Sequence, residues 1–208
     1  AFLHTQAGFS HLNGCRFSDN NTAVAFQPHS GGNLVDCQIQ DGVVGVQYDE
    51  ATGRVQGCII ERMSSVAIHL TTHANHVEVL ANTLRANPLH LSLAGQSAAT
   101  IQGNRFLDTG VYSVWYQTPV TATVNGNDFL STTGQFVHIS GHFSLEPVHY
   151  DFTGNYWGTT DPDAIAARID DLNDDINIRA VVDFIPFATE PVPTEPQSMG
   201  GFKARYRR

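Results

Sequence analysis

Four side chains return at nearly the same interval along this chain. His69, His90, Trp115 and His138 are separated by 21, 25 and 23 residues. An indole face stacks on the C–H surface of a sugar ring, and neutral imidazole nitrogens bond to hydroxyls. Lined up by a regular fold, the four would form a ligand groove for an extended carbohydrate, with Tyr112 and His142 flanking it. Tyr48 and Tyr116 read as core or rim residues. A His near neutral pH also suits general-base chemistry. His69, His90 or His138 is therefore the candidate base should the groove turn its ligand over, but the sequence orients none of them, and no catalytic residue is assigned.

Two further clusters could hold metal, and neither has the right spacing. His69, His73, His76 and Glu78 supply zinc-type ligands, yet an HxxxH pair is a helix spacing and this stretch reads as strand and loop. Asp170, Asp171, Asp174 and Asp175 offer oxygen ligands for calcium, but lack the Gly and closing Glu of an EF-hand loop. They read as solvated acids at a helix end. No metal and no cofactor is expected, and calcium is unsupported.

What positions the His–Trp line is a repeat. A hydrophobic residue, two variable ones, Cys or Asn, one variable and a large hydrophobic recur seven times. The phrases are Leu12–Cys15–Phe17, Leu34–Cys37–Ile39, Val55–Cys58–Ile60, Val79–Asn82–Leu84, Ile101–Asn104–Phe106, Val124–Asn127–Phe129 and Phe152–Asn155–Trp157. Their central residues lie 22, 21, 24, 22, 23 and 28 positions apart. A period near 22 with three locked columns means a solenoid in which each coil buries its apolar side on the next. Short alternations such as Val44–Val46–Tyr48, Ile68–Leu70 and Val137–Ile139 read as strands. Asn tolerates a left-handed backbone and can bond from rung to rung. Gly14, Gly57, Gly103, Gly126 and Gly154 mark the same bend. The three Cys occupy one column and read as small buried hydrophobes with free thiols. Stacked in parallel, they point the wrong way for a disulfide.

The phrases "LNGCRFSDNN", "IQGNRFLDTG" and "VNGNDFLSTTG" resemble right-handed parallel β-helix repeats of the pectate-lyase-like superfamily. The stretch from Asn155 to Phe187 is similar to the C-terminal ending of secreted bacterial β-helix repeat proteins. The resemblance implies an all-β, single-stranded parallel β-helix of about seven rungs over residues 1–158. A helix and strand cap would follow over 159–187, then a Pro-rich linker and basic tail over 188–208. In the cap, Thr160 or Asp161 suits an N-cap and Pro162 the first helical turn. Ile165 and Ile169 would face the core from a helix running from Ala164 to about Leu172, and Val181–Val182 with Phe184–Ile185 would form a closing strand. Enzymes of the superfamily carry an "NTDG"-type carboxylate run, a "DPH" run, or a calcium site with a catalytic Arg or Lys. None is found here: Asp161–Pro162 is followed by Asp163, and Arg16, Arg62, Arg85 and Arg105 sit near the Cys/Asn turn.

Charge narrows the partners. The chain holds 11 Lys and Arg against 20 Asp and Glu. Lys203, Arg205, Arg207 and Arg208 lie at the extreme end, leaving residues 1–199 with seven Arg against all twenty acids, a formal −13. Such a body repels nucleic acid, anionic membranes and unbridged acidic polysaccharides. No apolar run is long enough to span a membrane, and no signal-peptide pattern opens the chain. The chain enters its first coil almost at Ala1, so a homo-oligomer or a larger parent chain is expected to cover that end. The expected function is non-catalytic binding of a polysaccharide or cell-surface glycan by His69, His90, Trp115 and His138, outside the cell or on its surface. The alternatives are a polysaccharide lyase, epimerase or hydrolase on the same ribbon, and a purely structural module of a larger surface protein.

Overall fold

A computed structural model of the chain describes residues 3–192 apart from 6–7, 72, 118 and 142–145, with side chains from residue 8 onward. His142 and the basic tail lie outside the described residues. The chain winds as an all-parallel β-solenoid. Sheet A stacks Leu3–Thr5, Thr22–Phe26, Val44–Tyr48, Val66–Leu70, Leu89–Ala94, Tyr112–Gln117, Gln135–Ser140 and Ile169–Asp170 in that order. Sheet B stacks Gly8–Asn13, Ser30–Val35, Thr52–Gln56, Val77–Leu80, Ala98–Gln102 and Thr121–Asn125. Sheet C stacks Arg16–Ser18, Gln38–Gln40, Ile59–Glu61, Thr83–Arg85, Arg105–Leu107 and Asp128–Phe129. Each coil visits A, B and C once.

The repeat phrase is the wiring of this stack. Its first apolar residue is the inward position of sheet B, pairing Leu12, Leu34, Val55, Val79, Ile101 and Val124 in register. Its last apolar residue is the inward position of sheet C, pairing Phe17, Ile39, Ile60, Leu84, Phe106 and Phe129. Between them the chain must bend sharply. Gly103, just before Asn104, takes φ +67°, a conformation that favours glycine. The bend turns the Asn side chains into the core, where they bond in a ladder. Asn82, Asn104 and Asn127 each donate through Nδ2 to the Oδ1 of the next Asn at 3.0 Å. The same Oδ1 atoms accept the backbone N–H of the preceding Asn at 2.9–3.0 Å. Cys58 enters the ladder by its N–H, bonded to Asn82 Oδ1 at 2.8 Å.

Among the described residues, six coils contribute a strand to each of the three sheets. The seventh phrase closes the core without completing a coil. Asn155 ends the Asn ladder, and Trp157 stacks on Phe129 at 4.3 Å between centroids. Its Tyr156 makes only an isolated bridge to Asp128, while Val148–Asp151 pairs with Ala180–Asp183 in a separate two-stranded sheet. The cap helix is also shorter than expected, Pro162–Ala166, capped by Asp161, whose carboxylate accepts the Asp163 N–H. Ile169 is buried, but from a strand: Ile169–Asp170 becomes the eighth strand of sheet A. Phe184 and Ile185 fall outside the closing strand, and Ile185 is exposed. Among the described residues, no helix is long and apolar enough to cross a membrane.

Candidate functional site at the closing end of sheet A

Along sheet A the strands do not alternate strictly. The second and third residues of successive strands both turn inward, as in Ala67–Ile68, His90–Leu91, Ser113–Val114 and Phe136–Val137, all of them buried. Residues three apart therefore share the outer face, pairing Tyr112 with Trp115 and Gln135 with His138. The outer column is set by register: Gln47, His69, Ser92, Trp115, His138 and Asp170 lie level across consecutive strands.

The expected line is thus corrected at one position. His69, Trp115 and His138 share the column, but Ser92 stands where His90 was expected. His90 is fully buried, and its ring stacks on Phe106 at 5.9 Å. Its Nδ1 lies 3.0 Å from Asn87 Nδ2, and among the described residues Nε2 has no hydrogen-bond partner. Burial pulls its pKa down to about 3, so the ring is neutral. The ambiguity lay in Leu89, Leu91 and Leu93, which offer two possible inward pairs. One signal resolves it: His69, Ser92, Trp115 and His138 are spaced by an even 23 residues.

The functional groups concentrate at the end of this column. Tyr112 stacks on His138 at 4.5 Å and 12°, and Trp115 lies 6.1 Å from Tyr112 and 6.2 Å from His138. Trp115 donates its indole N–H to Ser140 Oγ at 2.8 Å, and Gln117 Nε2 donates to Ser92 Oγ at 3.0 Å. His138 Nδ1 lies 3.2 Å from Asp170 Oδ2, while Gln135 Nε2 donates to Asp170 Oδ1 at 3.0 Å. In the neutral tautomer with its proton on Nδ1, facing the carboxylate, Nε2 can accept a hydrogen bond. His69 stands two strands from Trp115, roughly 10 Å away by the strand spacing. Burial lowers its pKa, and nearby Asp49 pulls the other way.

Asp170 is the residue that the sequence did not place in the site. It belongs to no repeat phrase, and its neighbour Ile169 falls four residues after Ile165, a helical spacing. The rest of its acidic run is structural. Asp171 is buried and accepts the N–H groups of Val182 and Asn173, both at 2.8 Å, and Asp175 accepts from Asn177. The histidine patch does not converge either, since Glu78 on sheet B pairs with Arg54 at 2.7 Å from Nε. Among the described residues, no group of three or more His, Cys, Asp or Glu is arranged to hold a metal ion. A shallow depression of about 590 Å³ near Asp19, Asp41 and Arg62 lies toward the other end. Its one cation is committed, because Arg62 bonds to both Asp41 and Glu61.

The family model described as "Right handed beta helix region" matches residues 2–156. No curated protein and no solved structure matches the chain.

Proposed function

Because the chain belongs to the right-handed β-helix family, a fold that hosts many activities, we propose a function from its site alone: the outer face of sheet A binds an extended, uncharged carbohydrate. The observation that carries this reading is the half-exposed Tyr112–Trp115–His138 cluster, ringed by Gln117, Ser140 and Asp170. Aromatic faces supply stacking area, and the surrounding amide, hydroxyl and carboxylate fix hydroxyl orientation. The polymer would run along the solenoid axis, one strand after another, toward His69. The acidic body favours a neutral glycan over a uronate polymer, and an extracellular or cell-surface location suits such a ligand. A panel of neutral and acidic polysaccharides, screened by calorimetry, tests this. Trp115→Ala should weaken binding at least tenfold, about 1.4 kcal/mol, and His69→Ala less. A variant that binds as well as the parent, or a parent that binds no glycan, sinks the reading.

One observation favours a second reading, a polysaccharide lyase, epimerase or hydrolase. The Asp170 carboxylate orients His138 as a general base would be oriented. Against it, the sheet A strands carry no Arg or Lys among the described residues to stabilise a developing anion. Reducing ends or unsaturated products released from the same panel, and abolished in His138→Ala, would establish turnover.

A further inference from the structure

The Cys column has chemistry that a packing role does not use. Cys15, Cys37 and Cys58 are free thiols in one position of three successive coils. They are held level by the bonds Gln38 N–H to Cys15 O at 2.8 Å and Ile59 N–H to Cys37 O at 2.9 Å. All three point the same way, each sulfur lying 3.4–3.6 Å from the carbonyl two residues earlier. Parallel thiols at a strand spacing of about 4.8 Å are too far apart for a bond of about 2.05 Å. A metal ion between them needs two metal–sulfur bonds. At about 2.3 Å each, the zinc–thiolate value, they span roughly 4.6 Å, close to the general strand spacing of about 4.8 Å.

We propose that Cys37 and Cys58 form a two-coordinate site for one soft d10 metal ion held between their sulfurs. Ions that need four ligands are excluded, because no third His, Cys, Asp or Glu converges among the described residues. The ions that remain accept two thiolates in a line and prefer sulfur to oxygen. Binding replaces both thiol protons: a divalent ion and two thiols give a neutral bis-thiolate and two released protons. Neutrality matters because both residues are only 1 % exposed, and a net charge there would be heavily penalised. Mercury(II) therefore fits better than copper(I), which would leave an anion. The Cys37 N–H already points at Cys58 Sγ at 3.4 Å, ready to support a thiolate. Cys15 is half-exposed and lies one coil from Cys37. It gives the ion a route inward by thiolate exchange, from Cys15 to Cys37 and on to Cys58.

The test loads the reduced full chain with one equivalent of mercuric chloride, then dialyses against an excess of a monothiol. The parent should retain one mercury per chain, because a bis-thiolate resists monothiol exchange. Cys37→Ala, which leaves no two thiols in adjacent coils, should retain less than a tenth of that. Cys15→Ala should keep full stoichiometry and load more slowly. Zinc(II), offered the same way, should not be retained. Alkylation of the loaded parent in denaturant should modify Cys15 alone, which keeps the assignment testable should Cys37→Ala fail to fold by circular dichroism. Equal loss in both variants, full retention by Cys37→Ala, no retention by the parent, or uniform alkylation would each overturn the assignment.

Discussion

Removing one amide from the middle of the Asn ladder should unfold the solenoid more readily than any exposed change. Asn104 is completely buried. Its Oδ1 accepts both the N–H and the Nδ2 of Asn82 at 3.0 Å. Its Nδ2 donates to Val79 O at 2.7 Å and to Asn127 Oδ1 at 3.0 Å. In Asn104→Ala the Asn82 N–H loses its acceptor in a dry core, which costs about 1–3 kcal/mol. The Val79 carbonyl loses its amide donor, and the vanished amide leaves a void between coils whose walls are fixed by the sheets. Together these amount to about 4 kcal/mol, a large fraction of the stability of a typical domain. Asn104→Asp keeps the volume and the acceptor for Asn82. Its oxygens then face Val79 O and Asn127 Oδ1 with no proton between them, so at neutral pH it should be at least as damaging as Ala. Guanidinium titration followed by far-ultraviolet circular dichroism measures both, with exposed Gln102→Ala as the control, expected within about 0.5 kcal/mol of the parent. An Asn104→Ala loss below about 1 kcal/mol would refute the claim that the ladder holds the coils together.

Two more outcomes follow from buried groups. His90 has its folded pKa depressed from 6.5 to about 3, so unfolding takes up a proton. Its contribution is complete above the unfolded value and is lost as pH falls from there toward the folded one. Between about pH 7 and pH 5 the loss is roughly 2 kcal/mol, and His90→Gln should flatten that part of the stability–pH profile. An unchanged slope in the variant would show that the ring does not titrate on unfolding. At the other end, buried Asp128 accepts the Val192 N–H at 2.7 Å, pinning the segment after the cap onto sheet C. A bond to a charged acceptor is worth about 1.5–3 kcal/mol, so Asp128→Ala should speed hydrogen exchange at Val192 at least tenfold. Exchange at the parent rate would mean that the contact does not hold the segment.

What recurs was readable, and what occurs once was not. Six coils each place Leu, Val or Ile inward in sheet B and Phe, Ile or Leu inward in sheet C, so an error at one coil is outvoted by the others. That redundancy made the columns of Leu34, Val55 and Val79 and of Asn82, Asn104 and Asn127 legible from spacing alone. The column of His69, Trp115 and His138 could be read for the same reason. His90 was misplaced because a strand with two successive inward residues breaks the alternation, and Leu89 supplied a false inward partner. The cap carries no such redundancy. Whether Ile169 faces the core from a helix or a strand depends on Arg168, and a lone Arg has no periodicity to betray its role.

Arg168 shows why the candidate site sits where the repeat ends. Its guanidinium lies 3.7 Å from the centre of the Phe136 ring. It donates to Ser131 O at 2.6 Å, Thr133 O at 2.8 Å and Gly134 O at 2.7 Å. Its own carbonyl accepts the Phe136 N–H at 2.7 Å. These bonds fasten the chain across the last full strand of sheet A, so the next two residues must continue the sheet. Ile169 falls level with Val137, and Asp170 with His138. The repeat by itself offers only amides, hydroxyls and rings along its outer column near Trp115. The closing strand adds the carboxylate that bonds to the His138 ring and orients it. A solenoid can display the same ribbon at every coil. Only where a non-repeating segment joins that ribbon does one place along it become chemically distinct, and here that place is also where Tyr112 and Trp115 gather.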